Sequence, residues 1–189
     1  ENSAPPPSVS AIYQDSSGYI FLVVENDLVW VCEETAAGLR LVKPLSRFGY
    51  AQSFFPKEDR VLAATLNGLK EICRDGLTFR TLSVQEDGCP GDSFYGILPD
   101  EKGNLWLSSS KGLVRYHPVD KVFYRHTTAD GLPTNKFNRR AWWKDARGEM
   151  WFGSTSGLVV FDPAKIKLSD FRPGIELTEV RINDEARDS

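Results

Sequence analysis

Asp100-Glu101-Lys102-Gly103-Asn104-Leu105-Trp106-Leu107-Ser108-Ser109-Ser110-Lys111-Gly112-Leu113-Val114-Arg115-Tyr116 reads as a tight turn, a short strand, a second turn and another short strand. The Asp-x-x-Gly at its head closes a hairpin, because the Asp carboxylate accepts backbone amides two residues on and Gly takes the positive φ the turn needs. Apolar positions on either side alternate in short runs instead of recurring every three to four residues, which is the period of strands.

The same pattern recurs outward in both directions. Asp145-Ala146-Arg147-Gly148 precedes Glu149-Met150-Trp151-Phe152, and Asp15-Ser16-Ser17-Gly18 precedes Tyr19-Ile20-Phe21-Leu22. Nine positions after each anchor comes a second turn residue followed by Leu: Gly18 leads to Asp27 and Leu28, Asp59 to Gly68 and Leu69, Gly103 to Gly112 and Leu113, Gly148 to Gly157 and Leu158. The anchors at 18, 59, 103 and 148 are spaced by 41, 44 and 45 residues, and the second unit, lacking the Asp-x-x-Gly, is the degenerate one. A lone four-stranded sheet cannot bury both faces, so units of this length must stack face to face, as β-propeller blades do. The reading is therefore all-β: four four-stranded antiparallel blades, at about 8–49, 50–91, 92–136 and 137–171, forming part of a larger propeller. The WD dipeptide of WD repeats is absent.

In the third unit the expected strands are Phe94 to Leu98, Leu105 to Ser109, Leu113 to Tyr116 and Val122 to Arg125. Outer strands are expected near Leu39 to Leu41, at Phe79 to Leu82 and at Phe123 to His126. The fourth unit has only Ile166-Lys167-Leu168 and is expected to lack its outermost strand. After Arg172-Pro173-Gly174 comes a period-2 strand, Ile175 to Asn183, with no partner expected within the chain, so 172–189 reads as a linker and the cut-off first strand of another domain.

The chain has 189 residues, 23 Lys+Arg against 26 Asp+Glu, 41% hydrophobic and 12% aromatic residues. The balance of −3 argues against a nucleic-acid or anionic-membrane partner, and the apolar share suffices for packed cores. The longest apolar run, Ile20 to Val24, is far below the roughly 18 residues of a membrane span. With no initiator Met and no basic stretch followed by an apolar one, Glu1 reads as a processing boundary.

Asp100 to Tyr116, Asp130 to Asn135 (DGLPTN) and Lys144 to Pro163 (KDARGEMWFGSTSGLVVFDP) resemble the two-component regulator propeller repeat, strongly in blades three and four and weakly in blade two. Pro173 to Asn183 (PGIELTEVRIN) resembles the first strand of the three-Y domain that follows such propellers. The resemblance implies the C-terminal part of a periplasmic sensor region, whose parent continues through an immunoglobulin-like three-Y domain and a membrane helix into a histidine kinase or a diguanylate cyclase. A membrane is then met only through the parent chain. Propellers of this family usually have seven blades, so four is a departure.

In such blades the segment leading into the innermost strand and the turn between strands two and three lie on one face, and the Asp-x-x-Gly turns on the other. The first face collects Asp92, Ser93, Tyr95, Asn135, Lys136, Asn138, Arg139 and Arg140, with Ser108 to Lys111 and Ser154 to Ser156. From these the candidate ligand-binding set is Tyr95, Ser109, Lys111, Asn138, Arg139, Arg140, Trp142 and Thr155. Arg offers fixed paired donors for carboxylate or sulfate, and an indole stacks on a sugar, so a small molecule or an acidic or neutral oligosaccharide suits the rim. Against this, one of Trp142 and Trp143 must point into a core by strand alternation, Trp106 and Trp151 read as core, and loop serines commonly satisfy turn amides.

Catalytic and cofactor signals are thin. Gly153-Ser154-Thr155-Ser156-Gly157 resembles a nucleophile elbow, but its centre is Thr and a strand follows it. His117 and His126 fall on the two outer strands of blade three, His126 reading as a solvated strand residue, and the acidic pairs lie in turns without partners. No calcium loop is present, and Cys32, Cys73 and Cys89 are too few and too scattered for a zinc cluster. No metal, no cofactor and no catalytic residue are expected. Cys32 and Cys73, five residues past the second anchors, read as equivalent positions of adjacent blades, too far apart for a disulfide. Three functions follow in order: a non-enzymatic sensor module; a ligand-free assembly module that forms a homo-oligomer through exposed blade edges; and a propeller enzyme akin to streptogramin lyase, whose turn-and-Trp repeat is similar.

Overall fold

The structure, a computed structural model, describes residues 8–24, 27–57 and 59–166 with their side chains, apart from Gly76, and the backbone of Val180–Ile182 and Glu185–Arg187. Three four-stranded antiparallel sheets and one three-stranded sheet follow one another along the chain. Blade one is β1 (Val9–Gln14), β2 (Tyr19–Val24), β3 (Leu28–Thr35) and β4 (Gly38–Ser46); blade two is β5 (Ala51–Lys57), β6 (Arg60–Thr65), β7 (Gly68–Cys73) and β8 (Thr78–Thr81). Blade three is β9 (Phe94–Pro99), β10 (Leu105–Ser109), β11 (Gly112–His117) and β12 (Val122–His126); blade four is β13 (Phe137–Lys144), β14 (Met150–Ser154) and β15 (Gly157–Phe161). The fold is all-β, built of propeller blades arranged as an open arc. The fourth blade has three strands among the described residues, and most of the expected Ile166-Lys167-Leu168 lies outside them.

The turn chemistry operates as the spacing implies. In blades one, three and four one carboxylate oxygen accepts two amides: Asp15 from Ser17 and Tyr19 (3.0 Å each), Asp100 from Lys102 (2.9 Å) and Asn104 (2.8 Å), Asp145 from Arg147 and Glu149 (2.9 Å each). At the second turn of blades two, three and four a hydroxyl on Thr65, Ser109 or Ser154 donates to the carbonyl of Gly68, Gly112 or Gly157, at 2.8 Å in every case. Gly112 has no substitute there, because its φ is +126° and an added Cβ would lie 2.4 Å from the His126 carbonyl oxygen.

Between blades the cores are separate. Phe21, Val29, Val31, Phe48 and Ile72 fill the space between blades one and two, and Leu62, Leu69, Phe94, Leu107 and Tyr116 that between two and three. Trp106, Leu113, Phe137, Met150 and Phe152 fill that between three and four. Phe21, Leu62 and Trp106, each three residues past an anchor, face the next blade, as strand alternation requires. Trp151 holds the same position in blade four; it is half-buried, and its indole N–H has no partner.

Four expectations are corrected. The β2–β3 turn spans positions 25–27, one residue more than the two-residue turns after Thr65, Ser109 and Ser154. Leu28 therefore aligns with Gly112, not with Leu113, and points with Leu22, Trp30 and Cys32 away from blade two, since a slip of one residue flips a side chain to the other face. Cys32 and Cys73 are consequently not equivalent positions, although all three cysteines are free. Burial pushes the Cys89 thiol up to about 12, so it acts as a small hydrophobe. His126 is not solvated: its ring stacks on Trp106 at 5.4 Å, and burial holds its pKa below the ordinary value. Finally, within the expected terminal strand, Val180–Ile182 (β16) does have a partner, the antiparallel Glu185–Arg187 (β17); 175–179 and Asn183 lie outside the described residues.

Candidate functional site

The innermost strands β1, β5, β9 and β13 stand side by side, and each carries a bulge at the same height. One extra residue is inserted in β1 at Ser10, one in β5 at Gln52, and one in β9, where Tyr95 and Gly96 oppose Ser108. In β13 the pairing jumps from Phe137–Ser154 to Trp142–Phe152, so Asn138, Arg139, Arg140 and Ala141 oppose Gly153 alone. A bulge re-aims side chains and is common beside functional sites. Arg140 sits at φ +57°, a left-handed conformation that costs a non-glycine residue about 1–2 kcal/mol.

The lead-in segments and second turns do share a face. The amides of Leu66, Ser110 and Thr155 donate to the carbonyls of Tyr50 (3.2 Å), Ser93 (3.2 Å) and Lys136 (3.0 Å), the same tie in three blades. On this face Arg139 and Arg140 of blade four meet Tyr50, Gln52, Leu66 and Asn67 of blade two around a cavity of about 490 Å³. Both arginines are exposed, and neither makes an ion pair with a described residue.

The other six candidates are placed elsewhere. Tyr95 is buried in the core between blades three and four, and Trp142 lies flat on Gly96, whose added Cβ would come within 2.5 Å of the indole. The exposed member of the tryptophan pair is Trp143. Ser109 is committed to its turn, and the Asn138 amide donates to the Ser154 carbonyl at 3.1 Å. Thr155 meets the Thr134 hydroxyl at 3.3 Å. Lys111 pairs with Asp92 at 3.3 Å, and Arg125 takes the same carboxylate at 2.6 Å, so both cations of that part of the rim share an internal partner. Tyr50, Gln52 and Asn67 were missed because blade two lacks the Asp-x-x-Gly signal; Gln52, the bulge residue of β5, was findable once the blades were aligned on their second strands. Among the described residues no group of three or more His, Cys, Asp or Glu is placed to hold a metal ion, and no helix is long and apolar enough to cross a membrane.

Comparison with known proteins bears on the blades. No family model matches the chain. Over 111 residues, 59% of the chain, it is 34% identical to Histidine kinase P4 of Formosa agariphila, a match that spans 8% of that kinase. The extracellular domain of a hybrid two-component system from B. thetaiotaomicron superposes with a TM-score of 0.71 at 23% identity, covering 95% of this chain and 26% of that one. The chain shares the blade fold of that extracellular domain. A streptogramin B lyase superposes on the chain less well, with a TM-score of 0.52 at 14% identity over 86% of this chain and 57% of the lyase. The chain spans 8% of the kinase and 26% of the extracellular domain to which it is similar.

Proposed function

We propose that the chain is an extracytoplasmic, non-enzymatic sensor module of a bacterial signal-transduction receptor, periplasmic in its parent, and that the mouth of the cavity between Arg139, Arg140 and blade two holds the anionic group of an extracellular ligand such as an acidic oligosaccharide. One observation carries this reading: the three-residue insertion in blade four, two residues larger than in the other blades, projects Arg139 and Arg140, without ion-pair partners among the described residues, into a cavity shared with Tyr50, Gln52 and Asn67. Two guanidinium groups suit carboxylate or sulfate, the amides suit hydroxyls, and the Tyr50 ring offers an apolar face to a sugar. The likeness to a histidine kinase and to an extracellular sensor domain supports the receptor setting. Both histidines lie on β11 and β12, away from this mouth, which supports the non-enzymatic reading.

The test is a set of uronate-containing, sulfated and neutral oligosaccharides titrated against the chain. Acidic members are expected to bind, and Arg139→Ala with Arg140→Gly to weaken them about tenfold or more. Arg140→Gly is a clean probe, since glycine takes the left-handed backbone and stability should not fall. Equal binding by the double variant would overturn the site.

A second reading, self-association through the blade ends, has its own observation. At the two ends of the arc Ile12 is 71% exposed, Trp143 68% and Leu158 59%, and large apolar patches on a soluble surface mark contacts. Light scattering across a dilution series is expected to give a dimer or larger. A monomer at every concentration would remove this reading and leave the mouth as the site.

A further inference from the structure

We propose a second ligand site, in the groove between blades two and three, that takes a compact neutral polyol such as a single pyranose. The groove encloses a cavity of about 210 Å³ bordered by Arg60, Glu71, Arg80, Tyr116 and Phe123. That volume is below the range of drug-sized sites and leaves room for a single ring.

The repeat does not itself ask for charge here. Each blade pairs the residue three past its anchor with a partner on the third strand, and both face the next blade: Phe21 with Val31 in blade one, Leu62 with Glu71 in blade two. Val31 is fully buried in the core between blades one and two, so the fold accepts an aliphatic side chain at this place. Glu71 takes the same place at 8% exposure, and its Oε2 accepts from Arg60 at 2.8 Å and from Arg80 at 3.0 Å. Arg80 carries the network on to Asp87 at 3.0 Å. Burying these charges incurs a desolvation cost that a valine would not, so the network is weak evidence of a purely structural role.

What the network leaves unused defines the ligand. Glu71 Oε1 accepts nothing from the described residues, and the Nη2 of each arginine donates to none of them. Tyr116 is 5% exposed, yet its hydroxyl makes no hydrogen bond with a described residue. Burial, and then the charges of Glu71 and Asp87, push this phenol up, which places its oxygen near those carboxylates. A carboxylate oxygen accepts, guanidinium nitrogens donate and a phenol does both, so the cavity offers matched donors and acceptors to a molecule with several hydroxyls. The Phe123 ring, stacked on Tyr116 at 4.2 Å, and Leu82 give an apolar wall to the carbon face of such a ring. Lys57 and Lys121 border the cavity from turns on the Asp-x-x-Gly face, opposite the mouth of Arg139 and Arg140, so the two sites are distinct. These lysines would favour an oxyanion, but the free Glu71 oxygen would repel one and accept a hydroxyl.

The test titrates glucose, galactose, mannose and xylose into the chain, with sulfate as the ionic comparison and glycerol as the ringless one, followed through backbone amide resonances. At least one of the four sugars is expected to give saturable shifts in β7, β8, β11 and β12, and sulfate and glycerol none there. Tyr116→Phe removes one hydroxyl and is expected to weaken that sugar about threefold to tenfold without lowering the unfolding midpoint, because no partner within the chain is lost. Arg139→Ala should leave the affinity unchanged. Saturable shifts from sulfate in these strands would assign the cavity to an oxyanion and overturn the proposal. So would no saturation by any of the four sugars, shifts confined to the innermost strands around Arg139, or a Tyr116→Phe chain that binds equally well or loses stability.

Discussion

Replacing Trp106 with Ala is expected to destabilise the chain by about 3–5 kcal/mol. The side chain is essentially inaccessible and touches both blades it joins: Phe161 of blade four at 4.9 Å, and His126 and Arg115 of its own blade at 5.4 and 5.7 Å. Removing the indole opens a void that rigid sheets on either side cannot close, and exposes two buried polar groups that pack against it. Because each core lies between two neighbouring blades, the loss should concentrate at the junction of blades three and four. Hydrogen exchange of the variant should accelerate in β10 to β15 before β2 and β3. A midpoint lowered by only a degree or two, or uniform acceleration along the chain, would show that Trp106 does not join the blades in this way.

Asp100→Ala is expected to cost a similar amount, about 3–5 kcal/mol, for a different reason. Its carboxylate accepts the Lys102 and Asn104 amides at 2.9 and 2.8 Å, the Asn104 side-chain amide at 2.7 Å and the Trp106 indole N–H at 3.2 Å. Alanine would leave the Asn104 and Trp106 donors buried and unpaired. Burial by itself would raise this carboxyl's pKa, but the four hydrogen bonds outweigh it and hold the group below its usual value. The charged form is thus favoured in the folded state. The stability it contributes is full above the unfolded value of about 3.9 and is lost as the pH falls through the lower folded value. Acid unfolding of the parent chain should therefore steepen below about pH 4, and in Asp100→Ala that limb should flatten. The equivalent Asp145, whose second oxygen meets Arg147 on the surface, should cost far less when replaced. Equal losses at the two positions would sink the argument that burial of the Trp106 donor sets the magnitude.

The contrast between Asp100 and Asp145 shows where sequence reading stops. Both open an Asp-x-x-Gly turn and both accept the two amides that spacing implies, since that chemistry is contained within five residues. What the second carboxylate oxygen meets depends on whether another blade covers it. The histidines behave similarly. Their strands were legible, but burial of His126 against Trp106 required knowing that Phe161 closes the groove from blade four. The one-residue slip in blade one escaped because a Leu at the expected interval is indistinguishable, by spacing alone, from a Leu on the other face.

At the candidate mouth, Arg139 and Arg140 could be placed on a rim from their position ahead of the innermost strand. Their meeting with Tyr50, Gln52 and Asn67, roughly 70 to 90 residues earlier, could not. The sequence by itself determined the all-β class, the blade period and the chemistry of each turn, because these rest on alternation and on hydrogen bonds between residues close along the chain. Tertiary structure alone decided which side chains meet across blades and which innermost strands stand side by side. Those outcomes depend on the packing of blade on blade, where a bulge or a single inserted turn residue redirects side chains without altering the repeat.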